Sequence, residues 1–457
     1  MEFIRRTFTP NRIVIILLGL LALSYFLHGF QSLFGITHQE EISAVILVAT
    51  AILWISEALP LYITSLGVLF SQIVWLLPAL EASGSGARKE DFLIAFFGDI
   101  TLLFMGGFVL AALLNKYGIS RIIARNIIER TGNSPSRVLL SIILVSAALS
   151  MWLSNTGTAA LMFAIMAPVV MSLPETSLFP KGIALAIPFA CNLGGIGTPI
   201  GTPPNAIAMD YLQQVGIEIS FATWMLFAVP LMLILLFLLW KLLLRLFPPG
   251  DVEINIEIES VHRFGKRQYI VTGIFVLTVL GWVTSGYTGL STGIVGLFVV
   301  LAAFGSRLLT TSDFKNLSWD ILFMLGGGLC LGSGLKLSGI TASIASAIPV
   351  EGSFLFILIL LVALAALMTT FMSNTATANL LIPVAVSLPH GELIFAVAIS
   401  LMCSSSMALP ISTPPNAIAF GSGFLKSKDM LLSGLIVSAL AFIGIVLACI
   451  FYLPLIV

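Results

Sequence analysis

Long apolar blocks leave this chain a single solvent. Ile13–Leu27, Leu226–Leu244, Tyr269–Val283 and Leu431–Val457 are almost continuously hydrophobic. A helix needs ~20 such residues to cross a bilayer. Within hydrocarbon every backbone N–H and C=O must find a partner inside the protein, which leaves helices or closed barrels. Blocks of this length select helices. Across the whole chain only 9% of residues are charged and 58% are hydrophobic, whereas soluble domains carry about a quarter charged residues. The expected class is an all-α polytopic membrane protein. Its 457 residues allow about ten to twelve spans.

The 21 basic and 21 acidic residues balance to a formal net charge of zero. A nucleic-acid partner would call for a basic stripe, so none is expected. Cys191, Cys330, Cys403 and Cys449 sit in apolar stretches without a CxxC pair and read as free, buried thiols. Arg5, Arg6 and Arg12 precede an apolar run without a small-residue cleavage site, so that run is read as a retained first membrane helix.

Traced from a cytoplasmic N-terminus, every lysine and arginine except Arg88, Lys89 and Lys336 falls in a cytoplasmic loop or span end. Basic residues hold short loops on that side. The expected location is therefore the plasma membrane (the inner membrane of a bacterium), multi-pass, with the N-terminus inside. The segment from Phe247 to Gln268 carries Pro248, Pro249, Gly250 and several acids and reads as a linker between two halves.

Those halves repeat. Asp99-Ile100, Phe104-Met105-Gly106-Gly107 and Gly118-Ile119 are matched by Asp320-Ile321, Phe323-Met324, Gly327-Gly328 and Gly339-Ile340. Ser154-Asn155-Thr156 is matched by Ser373-Asn374-Thr375. The heptad Thr202-Pro203-Pro204-Asn205-Ala206-Ile207-Ala208 returns as Thr413-Pro414-Pro415-Asn416-Ala417-Ile418-Ala419. With an odd number of spans in each half, the halves face opposite ways, as in the inverted repeats of secondary transporters.

Each Ser-Asn-Thr triplet lies between apolar runs, Ser134–Leu153 and Gly157–Leu173 in the first half and Ser353–Met372 and Ala376–Leu388 in the second. Helix, triplet and returning helix make a re-entrant hairpin. Non-helical backbone at membrane depth is tolerated only where it lines a protein cavity. Serine caps the returning helix, and the hydroxyls and amides remain available to a ligand. In each Thr-Pro-Pro-Asn turn, two prolines break a helix by removing two donors. The new helix N-terminus attracts anions, while freed carbonyls suit a hard cation such as sodium. One triplet alone is commonly a cap, and one Pro-Pro alone is commonly a kink. Four breaks in two matched pairs point to a site.

The apolar spans hold no basic residue or carboxylate in their middles. Glu57, Asp99, Asp210 and Asp320 lie near segment ends, and His28, His38, His262 and His390 lie at ends or in loops. An anion must then be held by dipoles, hydroxyls and bound cations. Proton-coupled carriers usually show an intramembrane acid or histidine, so coupling is expected to be to sodium. Gly106, Gly107 and Gly326–Gly328 read as close helix packing, and the turn at Glu57 reads as a tight loop. No HExxH, Walker A or nucleophile-elbow pattern is present, which argues against an enzyme or an ATP-driven pump.

The paired triplets, each followed by a Gly/Ser-Thr-Pro-Pro-Asn turn, resemble the divalent-anion:sodium symporter family, the INDY-type dicarboxylate carriers. The resemblance spans nearly the whole chain. It implies about 11 transmembrane helices plus two re-entrant hairpins, and a homodimer of scaffold and transport domains that works by elevator-type movement coupled to more than one sodium ion. Residues 1–117 and 233–337 would supply the scaffold, and 118–232 and 338–457 the transport domain. Carried over by position, a first sodium site would use Ser150, Ser154, Asn155 and Gly201, and a second Thr369, Met372, Asn374 and Ser412. Substrate carboxylates would meet Ser154, Asn155, Thr156, Thr202, Pro203, Ser373, Asn374, Thr375, Thr413 and Pro414. Gly157 and Met372 depart from the alanines common at those places in the family. The expected function is sodium-coupled import of C4-dicarboxylates such as succinate, malate or fumarate. A sulfate or other divalent oxyanion symporter, a cation-independent exchanger, and a channel or intramembrane enzyme are the competing readings.

Overall fold

A computed structural model describes residues 2–174, 176–250, 264–347 and 354–457. His262, Arg263, Ser353 and most of the linker loop lie outside the described residues, as do the side chains of Arg5 and Arg6. All regular structure among the described residues is helical.

The first half opens with α1 (Glu2–Phe26), short α2 (Gly29–Phe34), α3 (His38–Ser56) and α4 (Leu61–Ser71). A π-helical turn at Gln72–Leu76 leads into α5 (Leu77–Ala82), and α6 (Lys89–Phe96) leads across a break into α7 (Asp99–Lys116). Amphipathic α8 (Ile119–Glu129) precedes a hairpin of α9 (Pro135–Ser150) and α10 (Asn155–Met171). Then follow α11 (Phe179–Gly195), α12 (Pro203–Gln214) and α13 (Phe221–Leu246). The second half runs α14 (Lys266–Val283), α15 (Ser285–Thr288), α16 (Thr292–Gly305), α17 (Thr311–Lys315) and α18 (Trp319–Ser338). It continues with α19 (Ile340–Ala347), a second hairpin of α20 (Phe354–Phe371) and α21 (Asn374–Ala385), α22 (Glu392–Ser405), α23 (Pro414–Gly421) and α24 (Ser427–Phe451).

Seven helical stretches among the described residues are long and apolar enough to cross a membrane. Ile13, Ile16 and Leu20 on α1, and Leu432, Leu435, Ile443 and Leu447 on α24, remain exposed, as suits helices whose outer faces meet lipid rather than water. The shorter apolar helices include α9, α10 and α22, which border the interruptions at the first Ser-Asn-Thr triplet and the second Pro-Pro turn.

The repeated glycines are packing positions. A Cβ on Gly106 of α7 would overlap the backbone of Gly296 in α16, and one on Gly327 of α18 would overlap Ser65 of α4. Gly106 and Gly327 are matched positions of the repeat. Each half thus presses its glycine helix against a helix of the other half, where small residues permit close approach. Gly118 and Gly339, also matched, both take the left-handed conformation (φ 67° and 86°) that lets the chain turn out of α7 and α18.

The boundary expected at residue 232 falls inside α13, which continues unbroken to Leu246. Pro230 does not divide it. Leu231, Leu235, Leu239 and Leu243 are all buried, and Trp240 Nε1 donates to the carbonyl of Ser136 on α9 at 2.9 Å. The turn away from this packing comes after Leu246, at Phe247-Pro248-Pro249, because two adjacent prolines cannot continue a helical ladder.

Loops assigned to one membrane face from their charges also meet one another. Lys116 pairs with Asp313 at 2.6 Å, and Lys181 with Asp429 at 2.9 Å. Lys336, assigned to the opposite face, donates to the carbonyl of Gln214 at 2.5 Å.

Candidate functional site

Both hairpins turn in the same way. Ser154 is extended (φ −63°, ψ 139°) and its Oγ accepts the N–H of Gly157 at 3.1 Å, starting α10. Ser373 repeats the geometry (φ −64°, ψ 144°), its Oγ accepting from Ala376 at 3.1 Å to start α21. The serines are therefore caps. The asparagines are tied back to the incoming arm. Ser150 Oγ donates to Asn155 Oδ1 at 2.6 Å, and Thr369 Oγ1 donates to Asn374 Oδ1 at 2.7 Å.

The proline turns are also a matched pair. Thr202 (φ −152°, ψ 143°) and Thr413 (φ −145°, ψ 149°) are extended, and each is followed by proline in the first helical position. Some carbonyls freed by these breaks, which the sequence leaves open to a cation, are already occupied. Asn205 Nδ2 donates to the carbonyls of Gly195 at 3.0 Å and Thr198 at 2.8 Å. Asn416 Nδ2 donates to those of Met407 and Leu409, both at 3.0 Å. A buried carbonyl without a partner is costly, so each asparagine stitches its own break closed.

Between the four breaks lies one cavity of about 210 Å³. Ser154, Asn155, Thr156, Thr202, Pro203, Ser373, Asn374, Thr375, Thr413 and Pro414 all line it, with Gly201 and Ser412. Ser150, Thr369 and Met372 do not line it. The first two stand behind the tip asparagines at hydrogen-bonding distance. Met372 is buried just before the second tip, and its N–H is bonded to Met368. Phe104 and Phe108 from α7, Trp152, and Ile321 and Met324 from α18 supply apolar wall. No lining residue is charged. Four helices, α10, α12, α21 and α23, begin at the cavity. Each N-terminus carries a partial positive charge. Free backbone N–H groups come from the first residues of α10 and α21, because α12 and α23 open on two prolines and the N–H groups of Asn205 and Asn416 are taken by the Thr202 carbonyl and Thr413 Oγ1. The volume sits below the ~300–1,000 Å³ of typical ligand pockets, so the site suits a small anion.

Sequence reasoning missed Asn192, Ser400 and Ser404. They lie in α11 and α22 and bond across to the other half's turn. Asn192 Nδ2 reaches Thr413 Oγ1 at 3.1 Å and Asn416 Oδ1 at 3.3 Å. Ser404 Oγ reaches Thr202 Oγ1 at 3.2 Å, and Ser400 Oγ reaches Asn205 Oδ1 at 3.0 Å. A polar residue inside a fully buried apolar helix is the signal that could have found them.

The helical membrane fold and this uncharged, dipole-lined cavity are those of a membrane transporter. The model of the citrate transporter family matches residues 7–402, and the chain belongs to that family. Sodium-dependent dicarboxylate transporters SdcS of Staphylococcus saprophyticus and Staphylococcus aureus are 30% identical to it over 443 and 446 residues. Each alignment covers 88% of this chain and 84% of the relative. These relatives bear out the resemblance to divalent-anion:sodium symporters. Among solved structures, MtrF of Neisseria gonorrhoeae, presented as illuminating a class of antimetabolite efflux pumps, aligns with a TM-score of 0.55 at 11% identity, over 79% of this chain and 82% of its own. The YdaH transporter of Alcanivorax borkumensis aligns with a TM-score of 0.55 at 12% identity, over 84% and 88%. At such identities the likeness concerns the fold alone.

Proposed function

We propose that this chain imports C4-dicarboxylates such as succinate, malate or fumarate together with sodium ions. The observation that carries the reading is the convergence of both Ser-Asn-Thr tips and both Thr-Pro-Pro-Asn turns on one uncharged cavity. The names of the SdcS relatives support sodium dependence and a dicarboxylate substrate. In this reading Asn155 Oδ1, Ser150, Ser154 and Gly201 hold one sodium ion, and Asn374 Oδ1, Thr369, Ser412 and the Met372 carbonyl hold another. These are neutral oxygen ligands, so two cations bring uncompensated positive charge to the hairpin tips. A dianion then binds to the N–H groups and hydroxyls between them. Cation and anion each raise the other's affinity by the same factor, as linkage requires.

Transport follows by movement of one group of helices past the other. The moving group comprises α8–α13 and α19–α24, which hold the cavity's polar groups. The fixed group comprises α1–α7 and α14–α18. The membrane is the plasma membrane, the N-terminus lies inside in keeping with the basic loops, and the assembly is a homodimer.

The test is labelled succinate uptake into proteoliposomes with an inward sodium gradient, against an equal potassium gradient. Sodium-driven accumulation above equilibrium, competed by malate and fumarate, is expected. Equal uptake in potassium would overturn the coupling. Competition by sulfate but not by malate would overturn the substrate class.

A further inference from the structure

We infer that Asn192 is a positioning residue that fixes the Thr413 hydroxyl as a hydrogen-bond donor to the bound dianion. The inference rests on the dianion-carrier reading above and adds to it an orientation for one binding group.

The argument begins with groups whose roles are unambiguous. Backbone carbonyls only accept. Asn416 lies 3.0 Å from the carbonyls of both Met407 and Leu409, so the atom facing them is its NH2 group. Its Oδ1 therefore faces the other way, as an acceptor, and meets the side chain of Asn192 at 3.3 Å. Asn192 must present its NH2 group there. The same nitrogen lies 3.1 Å from Thr413 Oγ1, so its second hydrogen goes to that oxygen. Thr413 Oγ1 also accepts the backbone N–H of Asn416 at 3.3 Å.

Thr413 now has both acceptor positions filled, and a hydroxyl has one hydrogen left to give. No acceptor for that hydrogen exists among the described residues. Thr413 is almost wholly buried and its exposed remainder lines the cavity. An O–H that can only donate, on a side chain that lines the cavity, selects an acceptor such as a carboxylate oxygen. A donor held in place before the ligand arrives needs no reorganisation to meet charge. Thr202, its partner in the repeat, accepts only from the rotatable hydroxyl of Ser404 at 3.2 Å, and Cys403 occupies the place in the second repeat that Asn192 holds in the first. The cavity thus has one fixed donor and one adjustable donor.

The test is a double-mutant cycle of Asn192→Leu and Thr413→Val. It reads ligand-induced thermal stabilisation of the purified protein in sodium, with succinate, citrate and sulfate titrated separately. A hydrogen bond to a charged acceptor corresponds to roughly a ten- to hundredfold change in affinity. Each single variant is expected to weaken the anion by about tenfold or more. The double variant should be no weaker than Thr413→Val alone, because Asn192 acts through the hydroxyl that is already gone. Thr413→Ser, which keeps the hydroxyl, should retain near-native affinity. Stabilisation by sodium alone should shift less than about twofold in Asn192→Leu. If that variant does not insert, Asn192→Ser, too short to reach Thr413, takes its place in the cycle.

Additive losses in the double variant, or a shift in sodium's own effect as large as the anion's, would overturn the assignment. If the wild type responds to sulfate and not to succinate, the dicarboxylate reading fails while the cycle is still read with sulfate. If none of the three anions stabilises the wild type, the donor assignment falls with it.

Discussion

Where the first broken helix runs Gly194-Gly195-Ile196-Gly197, the second runs Ser405-Ser406-Met407-Ala408. Both lead to the same turn and the same cavity, yet they meet their hairpins differently. The backbone of α11 lies directly on α9, and a Cβ on Gly194 would run into the backbone of Ala147. One position further on in the second half, where Ser406 matches Gly195, the contact with the hairpin is made by a hydroxyl. Ser406 Oγ bonds the Ala366 carbonyl at 3.2 Å and pairs with Thr370 Oγ1 at 3.0 Å. One half is built on backbone contact, which tolerates no added atom. The other is built on side-chain hydrogen bonds, which tolerate shape but not loss of polarity. A shared geometry has been reached by two kinds of packing, so the halves should fail in different ways.

The largest expected effect ignores this difference, because both tips depend on an asparagine. Asn155→Ala and Asn374→Ala should each reduce sodium-driven uptake by about a hundredfold or more, since neither remaining shell can replace an amide oxygen. Membrane insertion, checked by yield and monodispersity in detergent, should be unaffected. A variant that transports normally would remove that half from the site.

Exchanging the residues before the two turns sharpens the contrast. Gly201→Ser gives the first half the residue that Ser412 supplies in the second. Its Cβ would press on the carbonyl and backbone of Gly195, and backbone cannot swing aside. Overpacking of this kind costs ~1–3 kcal/mol, so a drop of about tenfold or more in sodium affinity is expected. The reverse change, Ser412→Gly, removes a hydroxyl whose Oγ accepts the Leu409 N–H at 3.0 Å and leaves the backbone carbonyl at 412 available to the second sodium ion. It should cost ~1 kcal/mol. Equal effects of the two changes would refute the division into backbone-built and hydroxyl-built halves.

A gentler version uses one residue on each side. The Cβ of Gly195→Ala would stand 2.9 Å from Asn155 Oδ1 and 3.0 Å from its Nδ2, pushing the tip amide out of place. Ser406→Ala leaves the contact shape intact and deletes two hydrogen bonds of an interface serine. Sodium titrations of thermal stability should show the first weakened by roughly tenfold and the second by only a few fold.

The sequence shows the duplicated tips and turns plainly, because a Pro-Pro pair or a polar triplet inside apolar runs has few structural uses. All ten expected substrate-contacting residues consequently reach one cavity. What stays hidden depends on contacts between halves. Asn192 is one amide in an apolar helix, and its bond to Thr413 spans more than two hundred residues of chain. The asparagines of the two turns carry no sign of their role in the sequence, and only the positions of the freed carbonyls show that they are stitches. The first-half boundary at 232 follows a proline that α13 absorbs, since a helix held by neighbouring helices can lose one hydrogen bond without ending.

Ion pairs give the smallest contrast, between the two groups of helices rather than between the halves. Lys116–Asp313 joins α7 to α17 within the proposed fixed group, and Lys181–Asp429 joins α11 to α24 within the moving one. The hydrogen bond from Lys116, followed by those from the backbone and hydroxyl of Thr310, holds the Asp313 carboxyl down to about 2. A depressed acid stabilises the folded state above its unfolded value of ~3.9 and loses that contribution as pH falls toward the folded value. The contribution is therefore complete between pH 5 and 8, so this pair gives no pH dependence there. Its side chains remain about a third exposed (35% and 27%), and such a pair is worth ~1 kcal/mol or less. Lys116→Ala should lower thermal stability by that amount at pH 7 and leave the neutral pH profile of uptake unchanged. Below about pH 4 the variant should lose stability less steeply than the wild type, because Asp313 without its lysine titrates nearer its ordinary value. Lys181→Ala removes a pair that is more enclosed (26% and 19% exposed) and should cost slightly more. A several-fold change in uptake from either lysine at pH 7 would mean that its bridge forms or breaks during transport, and would reassign one of its helices to the other group.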